Sequence, residues 1–126
     1  MIEKFQPRIK VKICGTTSLK DAFLAVESGA DAIGFIFYKM SPRNISQKEA
    51  KEIILQLPPF IETVGVFVNE TSDKINRIAE QCKLNSIQLH GEESPALCRR
   101  VKRKVIKAFR VKNADSLKSI SSYDVS

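Results

Sequence analysis

Short aliphatic runs alternate with amphipathic segments five times along this chain, and that rhythm limits the fold more than any single residue does. The runs Ile9 to Cys14, Ala32 to Phe37, Thr63 to Val68, Ser86 to Leu89 and Val105 to Phe109 read as strands. The segments between them read as helices. Ser18 with Asp21 makes a capping box ahead of Leu19, Ala22, Phe23 and Val26, and Gly29 closes that helix. Ser46 with Glu49 makes a second box, Ala50, Ile53, Ile54 and Leu57 form the apolar stripe, and Pro58-Pro59 stops it. A third helix starts near Thr71 with Ile75, Ile78, Ala79 and Cys82 on one side, and Ser94-Pro95 opens a short fourth. Asn113 is expected to cap a fifth helix containing Leu117 and Ile120, and Tyr123 to Ser126 to lead into a sixth strand. Residues 1–7 read as a loose lead-in.

Strands alternating with helices imply an α/β fold: a parallel sheet with right-handed crossovers. A doubly wound open sheet and a (β/α)8 barrel both satisfy the pattern. Roughly 24 residues per unit would bring eight units to about 200, the lower end for the barrel. Cys14-Gly15-Thr16-Thr17 is not the G-x-G-x-x-G turn of a dinucleotide fold. Alternation sets Lys12 with Cys14, Gln88 with His90 and Lys107 with Phe109 on one polar-tolerant face, and Ile13, Leu89, Ile106 and Ala108 on the other. Such strands suit a barrel wall. Residues 1–126 are therefore expected to form a single domain, an incomplete TIM barrel of about five βα units. Five strands leave two open edges, so the chain is expected to fold poorly alone, to self-associate, or to take up a complementing C-terminal half.

The bulk chemistry excludes several classes. No apolar run approaches the ~20 residues of a membrane span, and the N-terminus has no signal-peptide core. Three cysteines without ligand spacing point to reduced thiols in the cytoplasm and give no metal site. The net charge of +7 raises nucleic acid as a partner. Its densest cluster, Arg99-Arg100-Val101-Lys102-Arg103-Lys104, reads instead as a solvated helix end whose cations complement the dipole.

Chemistry in such folds sits at the C-terminal ends of the strands. Cys14, Arg43, Asn69, His90 and Arg110 end or follow the strands and are expected to share that rim. Cys14 reads either as a packed thiol or, with Lys12 on its face to favour the thiolate, as a base able to remove a proton beside a polarised carbon. Arg43, in Ser41-Pro42-Arg43-Asn44, is a loop cation or a fork for a carboxylate or phosphate. His90 is the single histidine. Cys82 and Cys98 lie on helix stripes and read as packing. Lys12 and Lys107 would be costly inside a barrel without a carboxylate, and the sequence offers no obvious one.

Five blocks, Val11 to Gly15, Ser28 to Phe37, Ser41 to Ser46, Val64 to Glu70 and Ile87 to Glu93, resemble in order the phosphoribosylanthranilate isomerase family of tryptophan biosynthesis. The resemblance implies a (β/α)8 barrel and an Amadori rearrangement of N-(5′-phosphoribosyl)anthranilate to 1-(2-carboxyphenylamino)-1-deoxyribulose 5-phosphate, with no metal or organic cofactor. It matches Cys14 to the family's general base, Arg43 to the arginine near the anthranilate carboxylate, and Gln88 and His90 to residues lining the pocket. The family's acid is an aspartate at the end of strand six, which matches no residue here; Asp124 precedes that strand. The family's phosphate loops follow strands seven and eight. The 126-residue chain is thus expected to show little activity alone. The alternatives are a non-catalytic half-barrel piece and another phosphosugar barrel enzyme, which would be expected to use carboxylates or a lysine.

Overall fold

The computed structural model describes residues 8–126, so the lead-in 1–7 lies outside the described residues. Five strands, β1 (Lys12–Ile13), β2 (Ala32–Ile36), β3 (Glu62–Phe67), β4 (Ser86–Leu89) and β5 (Lys104–Lys107), alternate with four helices, α1 (Leu19–Glu27), α2 (Gln47–Ile54), α3 (Ser72–Cys82) and α4 (Pro95–Arg100). All strand pairs are parallel, and the spatial order β1-β2-β3-β4-β5 repeats the chain order. A doubly wound sheet would reverse that order at its switch point. The continuous order is that of a TIM-barrel wall, and it decides between the two architectures.

The registers sort the strand residues into two faces. Gly34, Val64, Ser86 and Lys104 stand in one row, and Ile36, Val66, Gln88 and Ile106 in the next. The opposite face holds Ile33, Phe35, Phe67, Ile87, Leu89 and Val105, and it alone contributes strand residues to the two buried apolar clusters. One cluster takes Ala22 and Ala25 from α1 with Ala50 and Ile53 from α2; the other takes Ile75, Ile78, Ala79 and Cys82 from α3 with Cys98 from α4. The helices thus cover one face only. On the other, Lys12 Nζ of β1 donates to Gln88 Oε1 of β4. On a flat sheet those side chains would stand side by side about 14 Å apart, three strand spacings. Their meeting requires the sheet to curl, with this face concave. It holds an open groove of about 580 Å³ bordered by Lys12, Glu62, Val64 and Ile106.

The local signals worked where side-chain reach allowed. Ser46 and Glu49 make the full reciprocal capping box, and the Ser46 hydroxyl holds the Glu49 carboxyl below its usual value. Ser18 accepts from Asp21 N at 3.1 Å, but only that half of the expected box forms; aspartate is one methylene shorter than the glutamate the motif uses. Gly29 leaves α1 with φ +95°, the left-handed turn expected there.

Three expectations are corrected. The first strand is two residues long rather than six, because as an edge it has β2 alone to pair with. The fifth helix is replaced by two 3₁₀ turns, Ala114–Leu117 and Ile120–Ser122. Asn113 does cap the first of them, but Leu117 and Ile120 remain half exposed with no apolar surface to fix a longer helix. Finally, Lys107 pairs in register with Leu89, not with Gln88. It therefore lies on the helix face, and Ile106 is the residue in the concave row. The backbone N–H of Ser126 donates to Val105 O at 2.9 Å, so the chain returns alongside β5.

Candidate active site at the C-terminal rim

Cys14 follows β1 on the concave side. Its neighbour there is Gly34, where an added Cβ would lie 3.2 Å from Cys14 Sγ. Gly15 then turns the chain with φ +80°, which favours glycine. The same position must be bare for a second reason: the Arg43 side chain lies across it, and a Cβ there would sit 2.6 Å from Arg43 Nη1. Arg43 Nη1 donates to Cys14 O at 3.1 Å. The loop that delivers Arg43 is tied at both ends, by Arg43 N to Ser41 Oγ at 3.2 Å and Ile45 N to Ile36 O at 3.0 Å. Two residues singled out from the sequence, 29 positions apart, are therefore in contact. One of the five guanidinium N–H groups is used on Cys14 O, and the exposed fork retains donors for an anion.

Gln88 projects from β4 onto the same concave face and is fixed by Lys12. His90, two residues on, lies past the strand end with its side chain exposed; its backbone N–H donates to Phe67 O at 3.0 Å. Arg110 is exposed beyond β5. Asn69 has a different job from the one its position suggests. With φ +52° it turns the chain, its Oδ1 accepts from Glu92 N at 2.7 Å, and its own N–H donates to Glu93 Oε2 at 2.8 Å.

Glu93 is the residue the sequence reading missed. Its carboxylate is fully buried, accepts from Gly91 N at 2.8 Å, and pairs with Lys107 Nζ at 3.3 Å. Lys107 also donates to Gly91 O at 2.8 Å and Ala108 O at 2.9 Å, and sits 5.1 Å from the Phe109 ring centroid. Tyr123 closes the knot by donating to Glu93 O at 2.7 Å. The carboxylate for Lys107 was thus present in the quoted block His90-Gly91-Glu92-Glu93. It could have been found by asking which acid follows the strand next to β5.

The three cysteines are free. Cys82 and Cys98 are buried in the apolar core, and burial pushes both thiols above their usual pKa; Cys14 is half-buried at the rim. The basic cluster after α4 is partly structural: Arg103 donates to Leu84 O at 2.9 Å and pairs with Glu80 at 2.9 Å, while Arg99 and Arg100 end the helix. Among the described residues no helix is long and apolar enough to cross a membrane.

The fold and rim have close counterparts. A profile of the N-(5′-phosphoribosyl)anthranilate (PRA) isomerase family matches residues 11–126. An N-(5′-phosphoribosyl)anthranilate isomerase of Citrifermentans bemidjiense is 56% identical over 117 residues, which cover 93% of this chain and 57% of that relative. The crystal structure of phosphoribosyl anthranilate isomerase from Thermotoga maritima superposes with a TM-score of 0.87 at 50% identity, covering 90% of this chain and 56% of the other. A further solved isomerase, in complex with reduced 1-(o-carboxyphenylamino)-1-deoxyribulose 5-phosphate, gives the same TM-score and identity over 90% of this chain and 59% of its own. The chain spans a little over half the length of the relatives it matches. With the profile match running from β1 to the last residue, the chain belongs to the N-(5′-phosphoribosyl)anthranilate isomerase family.

Proposed function

We propose that this chain supplies the base and the carboxylate-binding side of an N-(5′-phosphoribosyl)anthranilate isomerase. The observation that carries the reading is the contact between Cys14 and Arg43 at the strand ends. It sets a half-buried thiol beside a cationic fork, as a substrate with a proton to lose and a carboxylate to anchor requires. A solved relative, half identical to this chain, is in complex with a reduced carboxyphenylamino-deoxyribulose phosphate.

In the reaction, protonation of the ribose ring oxygen opens the sugar to a protonated Schiff base. The Cys14 thiolate takes the C2′ proton, and the electron pair moves toward the iminium to give an enolamine. Return of a proton at C1′ gives the ketone. Arg43 holds the anthranilate carboxylate, while Gln88 and His90 line the pocket. The work is positioning and electrostatics. The ring-opening acid and the phosphate grip are assigned to the part of the relatives that this chain does not match. Asp124 is exposed and is not nominated.

A complementing segment is the partner favoured by the outward side of β1. Val11 and Ile13 are 44% and 43% exposed beside Leu24 at 58%, and an apolar groove of about 400 Å³ runs between β1 and α1. A further βα unit would cover it. The free thiols and the biosynthetic substrate fit a cytoplasmic setting.

The test is to join residues 1–126 to the remainder of the Citrifermentans relative and follow conversion of N-(5′-phosphoribosyl)anthranilate by chromatography. Turnover by the joined enzyme, with little by the chain alone, is the expected result. A folded joined enzyme without turnover would reject the reading.

A further inference from the structure

We infer that Gly34 is the positioning residue for the Cys14 thiol: the missing side chain at the centre of β2 is the space that seats Sγ. A Cβ on Gly34 would come within 3.2 Å of Cys14 Sγ, 3.2 Å of its Cα and 3.5 Å of its Cβ. Non-bonded heavy atoms settle at about 3.5–4.0 Å, so a methyl there must displace the thiol. Backbone conformation does not ask for glycine at this position, since the glycines with positive φ are Gly15 and Gly29. A glycine inside a strand weakens it and marks a close approach of something else. Here the approaching group is Cys14.

The main chain of Gly34 holds the other half of the seat. Its carbonyl accepts from both Gly15 N and Thr16 N at 3.1 Å, so the turn after Cys14 is hung from the same residue that makes room for its side chain. Arg43 fixes the Cys14 carbonyl from the loop side. With the backbone of Cys14 held on both flanks, a methyl at position 34 displaces Sγ rather than the turn. The thiol is aimed by an absence on its neighbouring strand.

The catalytic consequence rests on the proposed base role of Cys14, whereas the seating does not. A displacement of a few tenths of an ångström in a reacting atom is expected to lower kcat about tenfold, given that 1 Å costs about a hundredfold. KM should change less than about threefold, because the built Cβ meets Cys14 and not Arg43.

The experiment compares the parent with Gly34→Ala, in the 126-residue chain and in the joined enzyme. Alkylation of Cys14 by iodoacetamide, followed by mass spectrometry of its peptide across pH, reads the thiol directly, since Cys82 and Cys98 are buried. The plateau rate at high pH is expected to fall about threefold or more as the methyl covers one flank of Sγ. Gly34→Ala alkylating at the parent rate would overturn the inference. A slowed alkylation with no isomerisation by the parent enzyme would leave the seating intact and reject the base role. Should Gly34→Ala not fold, Cys14→Ala/Gly34→Ala decides. Recovery of folding traces the clash to the thiol, and continued failure overturns the inference.

Discussion

The buried Glu93–Lys107 pair makes the sharpest stability prediction. Lys107→Met keeps most of the side-chain volume and removes the ammonium. It leaves a carboxylate with 0% side-chain exposure facing Gly91 N and Asn69 N but no cation, and it strips the donor from Gly91 O and Ala108 O. Glu93→Gln does the converse: Lys107, 3% exposed, keeps two carbonyls and loses its counter-charge. Breaking one side of such a pair costs about 3–5 kcal/mol, a large share of the ~5–15 kcal/mol that holds an ordinary domain together. The double variant Glu93→Gln/Lys107→Met strands no charge. It should cost about as much as one single variant, not the sum, so the coupling is expected near 3 kcal/mol. Urea unfolding measures it. With an m-value of about 2 kcal/mol/M, each single variant should lower the midpoint by about 1.5–2.5 M. A Lys107→Met variant within about 1 kcal/mol of the parent, or a double variant that sums, would refute the reasoning.

Other perturbations test separate parts of the structure. Gly65→Ala should lose about 1–3 kcal/mol in the same assay, because its Cβ would meet Leu84 Cδ1 at 2.5 Å and Phe67 Cε2 at 2.9 Å; a neutral effect would mean that layer is loosely packed. Arg43→Lys keeps the charge but loses the planar fork, so in the joined enzyme KM should rise about tenfold with kcat changed little; a pure kcat loss would place Arg43 elsewhere in the reaction. Stability should fall as pH rises from about 8.5. Burial raises the Cys82 and Cys98 pKa values in the folded state, so the unfolded chain loses those protons first and is favoured through that window. Denaturant titrations from pH 7 to 10 measure the slope, and Cys82→Ala should flatten it.

The fold was legible because each strand–helix unit carries its own boundary chemistry. Ser46 with Glu49 and Gly29 are local signals, and they act locally in the structure. The fifth helix was misread for the complementary reason: Asn113 supplies a start, but the extent of a helix is set by what covers its stripe, and Leu117 and Ile120 meet no apolar surface. The rim was half legible. Cys14 and Arg43 could be found because strand ends converge in a parallel barrel wall. Gly34 and Glu93 could not, since each matters through a neighbour brought in by strand register. Alternation along β5 alone also put Lys107 on the wrong face. Its true face depends on pairing with Leu89, a long-range fact that no five-residue window contains.

The base role of Cys14 is the central claim, and Cys14→Ala in the joined enzyme tests it most directly. Single-turnover conversion of N-(5′-phosphoribosyl)anthranilate should slow about 10²–10⁴-fold, the usual worth of a positioned general base, while substrate affinity set by Arg43 stays close to the parent's. Conversion by the alanine variant within a fewfold of the parent rate would contradict the account.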